Sequence, residues 1–130
     1  MEKVFVYGTL QRGFHNHALL GDSRFIGAAT TAERYVLRSR PGGIPFVGRD
    51  LQVSHIVGEL FDVDPNLLPR LDQLEGCRID RPELSWYHRA LIDVSCEGAA
   101  HRAWIYFNPE TREPIVPGGD WARMKQDTIK

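Results

Sequence analysis

The sequence predicts an α+β fold: a curved or closed sheet with one solid helix packed against it. Three observations lead there. β-forming runs dominate both ends of the chain, a single leucine-faced helix lies between them, and the last two runs meet at a two-residue turn, Glu97-Gly98. The chain has 130 residues, so a single domain over 1–130 is expected.

Each element has its own signal. Lys3 to Gly8 is β-branched and aromatic and stops at glycine, so it reads as a strand. Thr9 to Asn16 is a polar loop, and His17 to Leu20 a short helical turn. Arg24 to Arg38 reads as one long bent strand or two, with the bend near Gly27. Pro41-Gly42-Gly43 marks a turn. Ile56 to Val63 is a strand with Val57, Glu59, Phe61 and Val63 on one face. Asp64-Pro65 supplies an N-cap acid and a first-turn proline, and Leu67, Leu68, Leu71 and Leu74 fall on one helix face. Gly76 ends the helix. Trp86 to Cys96 alternates, with Trp86, His88, Ala90, Ile92 and Val94 on one side, and Ala100 to Phe107 returns as its hairpin partner. The proline- and glycine-rich tail reads as irregular, with a short helix over Asp120 to Gln126.

Composition narrows the function classes. Sixteen Lys and Arg against seventeen Asp and Glu give a net charge of −1, so no basic excess exists to hold nucleic acid or an anionic membrane. Two cysteines are too few for a secreted disulfide framework. No apolar run reaches the ~18 residues of a membrane span, and the start of the chain lacks the pattern of a signal peptide. A cytoplasmic protein with reduced thiols is expected. Nothing in the residues speaks to its oligomeric state.

Four candidates could carry chemistry. Tyr7-Gly8-Thr9-Leu10 ends the first strand with successive backbone N–H groups, which suits an anion such as a carboxylate and also suits an ordinary turn. Glu75 falls at the C-terminal end of the helix, where the dipole disfavours a negative charge and raises the pKa. A carboxyl group so tuned can take and return a proton near neutrality; a solvated surface acid is the other reading. His15 and His17 form a His-x-His pair without a recognisable third ligand, so no metal site is expected. Cys77 is a thiol near a helix end with no paired base in sequence. Phosphate-loop, dinucleotide and nucleophile-elbow patterns are absent from the sequence.

Two of these candidates occur together in a known family. Val4-Phe5-Val6-Tyr7-Gly8-Thr9-Leu10-Gln11-Arg12-Gly13 with Asn16-His17 resembles the opening of the gamma-glutamylcyclotransferase-like family, nearest to the gamma-glutamylamine cyclotransferase branch and its small bacterial relatives. Val57-Gly58-Glu59-Leu60-Phe61-Asp62-Val63 resembles that family's central strand, and Leu71-Asp72-Gln73-Leu74-Glu75-Gly76 its helix-end motif. Tyr87-His88-Arg89 resembles its Tyr-x-Arg strand, and Trp104-Ile105-Tyr106 fits the later strand.

The resemblance implies a small mixed β-barrel with a few flanking helices and a pocket at one end. It implies that Tyr7, Gly8, Thr9 and Leu10 hold the α-carboxylate of a γ-glutamyl group, with Pro45, Tyr87 and Tyr106 in the same substrate site. It makes Glu75 the general acid/base of a cyclisation releasing 5-oxoproline from a γ-glutamyl amide, with no cofactor and no metal. The stretch from Cys77 to Trp86 is longer than the family pattern and reads as a lid, a wall or a surface loop. A non-catalytic carboxylate-binding module and a γ-glutamyl amide hydrolase remain alternatives on the same scaffold, and the leaving amine is unspecified.

Overall fold

The computed structural model describes residues 1–39, 43–77 and 86–129, with side chains through residue 125. Its elements are β1 Glu2–Val6, β2 Arg24–Arg38, β3 Phe46–Gly48, β4 Ser54–Val63, α1 Leu68–Leu74, β5 His88–Cys96, β6 Ala99–Phe107 and α2 Trp121–Ile129. The strands lie in the order β3-β2-β4-β1-β6-β5, and β2 pairs again with β5 through Ala29–Cys96, Thr30–Ser95 and Thr31–Val94. That second pairing closes five strands into a barrel, with β3 attached to β2 beside the ring. β1 runs parallel to β6 and antiparallel to β4, which makes the barrel mixed.

The side-chain alternation builds two apolar layers. Phe5, Ile56, Leu60, Ile92, Val94, Ala103 and Ile105 pack together as one cluster. The intervening Val4, Val6, Phe61 and Val63 belong to a second cluster with Leu68 and Leu71 of α1 and Leu20. β1 is therefore buried on both faces: Val4, Phe5 and Val6 are each at most 3% exposed. A strand covered on both sides reads as a continuous apolar run, which is what Val4-Phe5-Val6 shows. This layer fixes α1 against the end of β1, and so decides where the end of α1 points.

Several boundaries differ from the expectation, each for a local reason. β1 ends at Val6, because Tyr7 and Gly8 leave the ladder to start a loop. β2 is one 15-residue strand with register shifts at Phe25/Gly27 and again at Thr30/Arg34. Pro65–Leu67 form a 3-10 turn capped by Asp64, whose carboxylate accepts from the Asn66 N–H at 2.9 Å, before α1 proper. Leu74 is exposed rather than part of the buried stripe, since a seven-residue helix turns it away from the barrel. Trp86 precedes β5 and is exposed, so it does not join the inward face of the sheet. β3 carries no periodic signal over three residues and had none to read. Pro41 and Gly42 of the Pro41-Gly42-Gly43 turn, and residues 78–85 of the segment from Cys77 to Trp86, lie outside the described residues.

Candidate active site

Glu75 owes its position to the way α1 stops. The Cys77 N–H donates to the Asp72 carbonyl at 2.8 Å and the Gly76 N–H to the Gln73 carbonyl at 3.2 Å. This paired closure is a Schellman motif, which needs a left-handed residue after the cap. Gly76 supplies it with φ 66°, and Glu75 becomes the C-cap. The barrel covers the carboxyl group, and this burial raises its pKa from 4.5 to about 7. The sequence argument reached the same direction through the helix dipole; desolvation is the cause in the fold. Arg89 of β5 does not face Glu75 as a partner but is committed to Asp72. Its Nε lies 2.9 Å from Asp72 Oδ1 and its Nη2 donates to Asp72 Oδ2 at 3.1 Å. Its guanidinium also covers the Trp104 ring at 4.4 Å. Arg78 lies outside the described residues.

The loop after β1 is pinned on several sides. Glu59 of β4 accepts from the Arg12 N–H at 2.7 Å and from Arg12 Nε at 3.1 Å. The Arg12 guanidinium lies 3.5 Å above the Phe25 ring. His17 Nδ1 sits 3.0 Å from the Leu10 carbonyl, and Asn16 Nδ2 donates to Thr9 Oγ1 at 2.8 Å. The carbonyls of Gly8, Thr9 and Leu10 are thus all taken, by the Gln11 N–H, the Asn16 N–H and His17. Among the described residues, no acceptor is offered to the N–H groups of Gly8, Thr9 and Leu10. Three successive free donors beside a cavity form an anion-binding arrangement. Gly8 has ordinary φ; what requires glycine there is Pro45, whose Cγ would stand 2.8 Å from an added Cβ.

Three tyrosines complete the wall. Tyr7 Oη donates to the Tyr106 carbonyl at 2.6 Å, Tyr87 Oη to the Pro45 carbonyl at 2.7 Å, and Tyr106 Oη to Asp72 Oδ1 at 2.7 Å. Burial raises all three phenol pKa values, and the Glu75 charge raises each further. They are therefore protonated donors at neutral pH, and the carboxyl group of Glu75 is the member of this wall that changes charge near pH 7.

All eight residues proposed from the sequence line one cavity. Tyr7, Gly8, Thr9, Leu10, Pro45, Glu75, Tyr87 and Tyr106 enclose about 50 Å³ together with Phe5, Val6 and Ile44. The sequence reading missed Asp72, Arg89 and Glu59 as supports. Asp72 looked like one more polar position on a helix surface, whereas it is buried at 6% exposure. His15 is exposed and His17 holds the loop, and among the described residues no three His, Cys, Asp or Glu side chains gather as a metal set. Cys77 is a partly buried free thiol packed beside the second apolar cluster. No helix of the described residues is long and apolar enough to cross a membrane.

Comparison with known proteins agrees with this arrangement. Residues 4–123 match the family model described as gamma-glutamyl cyclotransferase, AIG2-like. A Methanocaldococcus jannaschii protein provisionally named a gamma-glutamylcyclotransferase is 41% identical over 123 residues, covering 93% of this chain and 96% of that protein. Bovine (Bos taurus) gamma-glutamylaminecyclotransferase is 36% identical over 105 residues, covering 73% of this chain and 57% of the relative. The crystal structure of an AIG2-like protein from Mus musculus superposes with a TM-score of 0.75 at 26% identity, covering 92% of this chain and 88% of that one. The closed mixed barrel, the matched span and the full-length relative lead to one conclusion: the chain belongs to the AIG2-like gamma-glutamyl cyclotransferase family and is an enzyme of that type.

Proposed function

We propose that the protein releases 5-oxoproline from a γ-glutamyl amide, with Glu75 as general acid/base. The observation that carries this reading is a buried carboxyl group held at about 7 in the same small cavity as three unpaired loop N–H groups. The loop of Tyr7 to Leu10 receives the substrate α-carboxylate. This leaves the α-ammonium group beside Glu75. Ionised Glu75 removes one proton, and the freed amine attacks the γ-carbonyl carbon of the same molecule. A C–N bond forms as the five-membered ring closes, and the amide C–N bond breaks as Glu75 returns its proton to the departing nitrogen. The α-ammonium loses two protons in all. The lactam nitrogen keeps one hydrogen, and the amine departs as an ammonium ion.

The nucleophile is tethered to its target, so the main task is to fold the glutamyl chain into attack geometry. A base with a pKa near the working pH is both ionised often enough and strong enough to act, and as an acid it can give the proton back. The phenols of Tyr7, Tyr87 and Tyr106 stay protonated and, with their O–H groups held by the Tyr106 carbonyl, the Pro45 carbonyl and Asp72, form a fixed, uncharged wall around the reacting region. The test is a mass-spectrometric screen of γ-glutamyl amides. Release of 5-oxoproline supports cyclisation, and release of glutamate instead would replace it with hydrolysis. Glu75→Gln should lower kcat by roughly 10²-fold or more with KM little changed.

A further inference from the structure

A buried cation stands behind one wall of the site. Arg89 of β5 is paired in register with Tyr106 of β6, and the Tyr106 phenol lines the cavity that holds Glu75. Burial is the main cause that keeps this phenol protonated, and the charges of Arg89 and Glu75 act on it in opposite directions. A free guanidinium at such range would favour the ionised form of Glu75 and lower its pKa. A carboxylate so lowered is too weak a base to take an ammonium proton and has no proton to give back near neutrality.

Asp72 stands between. Its Oδ1 accepts from Tyr106 Oη at 2.7 Å and lies 2.9 Å from Arg89 Nε, and its Oδ2 accepts from Arg89 Nη2 at 3.1 Å. Both side chains of the pair are nearly buried, at 9% and 12% exposure. Asp72 precedes Glu75 by three positions along α1, a spacing that makes side chains neighbours on a helix. Alone, Asp72 would raise the Glu75 pKa and Arg89 would lower it; bound to each other, they oppose. The remaining groups around Glu75 are Tyr7 from the loop after β1, Tyr87 ahead of β5, Tyr106 from β6, and the Cys77 thiol two residues on. Among the described residues, the cavity lining holds no charged side chain besides Glu75.

We infer that Asp72 is a positioning residue of the proposed reaction: its carboxylate holds the Arg89 cation behind Tyr106, so that Glu75 meets an uncharged wall and stays a base. This rests on the cyclisation reading above. The side chain can be tested apart from the backbone, because the Asp72 carbonyl that closes the helix end on the Cys77 N–H is present in every variant.

The experiment titrates the Glu75 carboxyl carbon by NMR in protein labelled with ¹³C at the glutamate side-chain carboxyl, the signal being assigned by its loss in Glu75→Gln. Wild type should titrate at about 7. Asp72→Asn keeps the shape and frees the cation, and should move the midpoint down by roughly one pH unit or more. Arg89→Gln leaves the Asp72 charge alone and should move it up by a similar amount. Arg89→Lys and the double variant Asp72→Asn/Arg89→Gln leave the pair neutral as a whole, and both should titrate near wild type. The acid limb of kcat/KM for 5-oxoproline release should follow the same four shifts. A purely structural pair would weaken the fold without moving the two single variants in opposite directions. Equal midpoints in all variants, or single variants that shift the same way, overturn the inference. So does a departure of about one unit or more in Arg89→Lys or in the double variant, neither of which leaves a buried charge unmatched. Opposite midpoint shifts in a protein that releases no 5-oxoproline would overturn the cyclisation reading, and with it the positioning role, while leaving the charge balance around Glu75 established.

Discussion

Replacing Glu75 by glutamine should stabilise the protein, and only above a defined pH. In the fold Glu75 titrates at about 7, against 4.5 for an unperturbed carboxyl group. At 1.36 kcal/mol per pH unit, the gap corresponds to ~3 kcal/mol. Because the folded state holds the proton more tightly than the unfolded chain, Glu75 costs nothing below about pH 4.5. Its cost grows as pH rises through the window and levels off above about 7. Glutamine is neutral throughout and escapes that cost. Urea unfolding followed by tryptophan fluorescence should give similar midpoints for the two proteins at pH 4.5. At pH 8.5 the variant should be more stable by up to ~3 kcal/mol, with equal slopes. Trp121, at 2% exposure, reports the core in this assay. An identical stability difference at the two pH values would mean that Glu75 is solvated and ionised like a surface acid, and the mechanistic argument would fail with it.

Two further substitutions probe the supports of the site. Gly8→Val drives a branched side chain into the Pro45 ring, where even Cβ would stand at 2.8 Å; calorimetry should show 5-oxoproline binding lost, and equal binding to wild type would contradict the close-approach argument. Asp72→Ala leaves the Arg89 guanidinium buried without its carboxylate and takes the partner from Tyr106; urea midpoints should report a loss of about 3 kcal/mol or more, and a loss under about 1 kcal/mol would show the pair to be peripheral.

The parts legible in sequence are those with a local signature. Alternation gave the β5–β6 hairpin, and the turn residues Glu97 and Gly98 both take positive φ, as a tight two-residue turn demands. Asp64, Pro65 and Gly76 bracketed the helical segment, and the family resemblance linked Glu75 to the loop at Tyr7 across most of the chain. What stayed hidden depends on partners distant in sequence. The parallel pairing of β1 with β6, the β2–β5 closure and the Asp72–Arg89 pair each join residues that carry no mutual signal along the chain. Trp121 fell in the short helix read over Asp120 to Gln126, but its burial had no signal in sequence: it is one of the most deeply buried side chains, packed in the first apolar cluster beside Phe14. The Glu75 pKa shows the same contrast: the helix end pointed in the right direction, but the burial that sets it belongs to the tertiary fold.

The central claim is that one carboxyl group, buried at the end of α1, exchanges the proton of the reaction. The pH dependence of kcat/KM for the fastest γ-glutamyl amide tests it most directly, since that profile reports the free enzyme. The account predicts an acid limb governed by a pKa of about 7, with activity falling as Glu75 takes up its proton. A limb at the ~4.3 of an ordinary glutamate would contradict it.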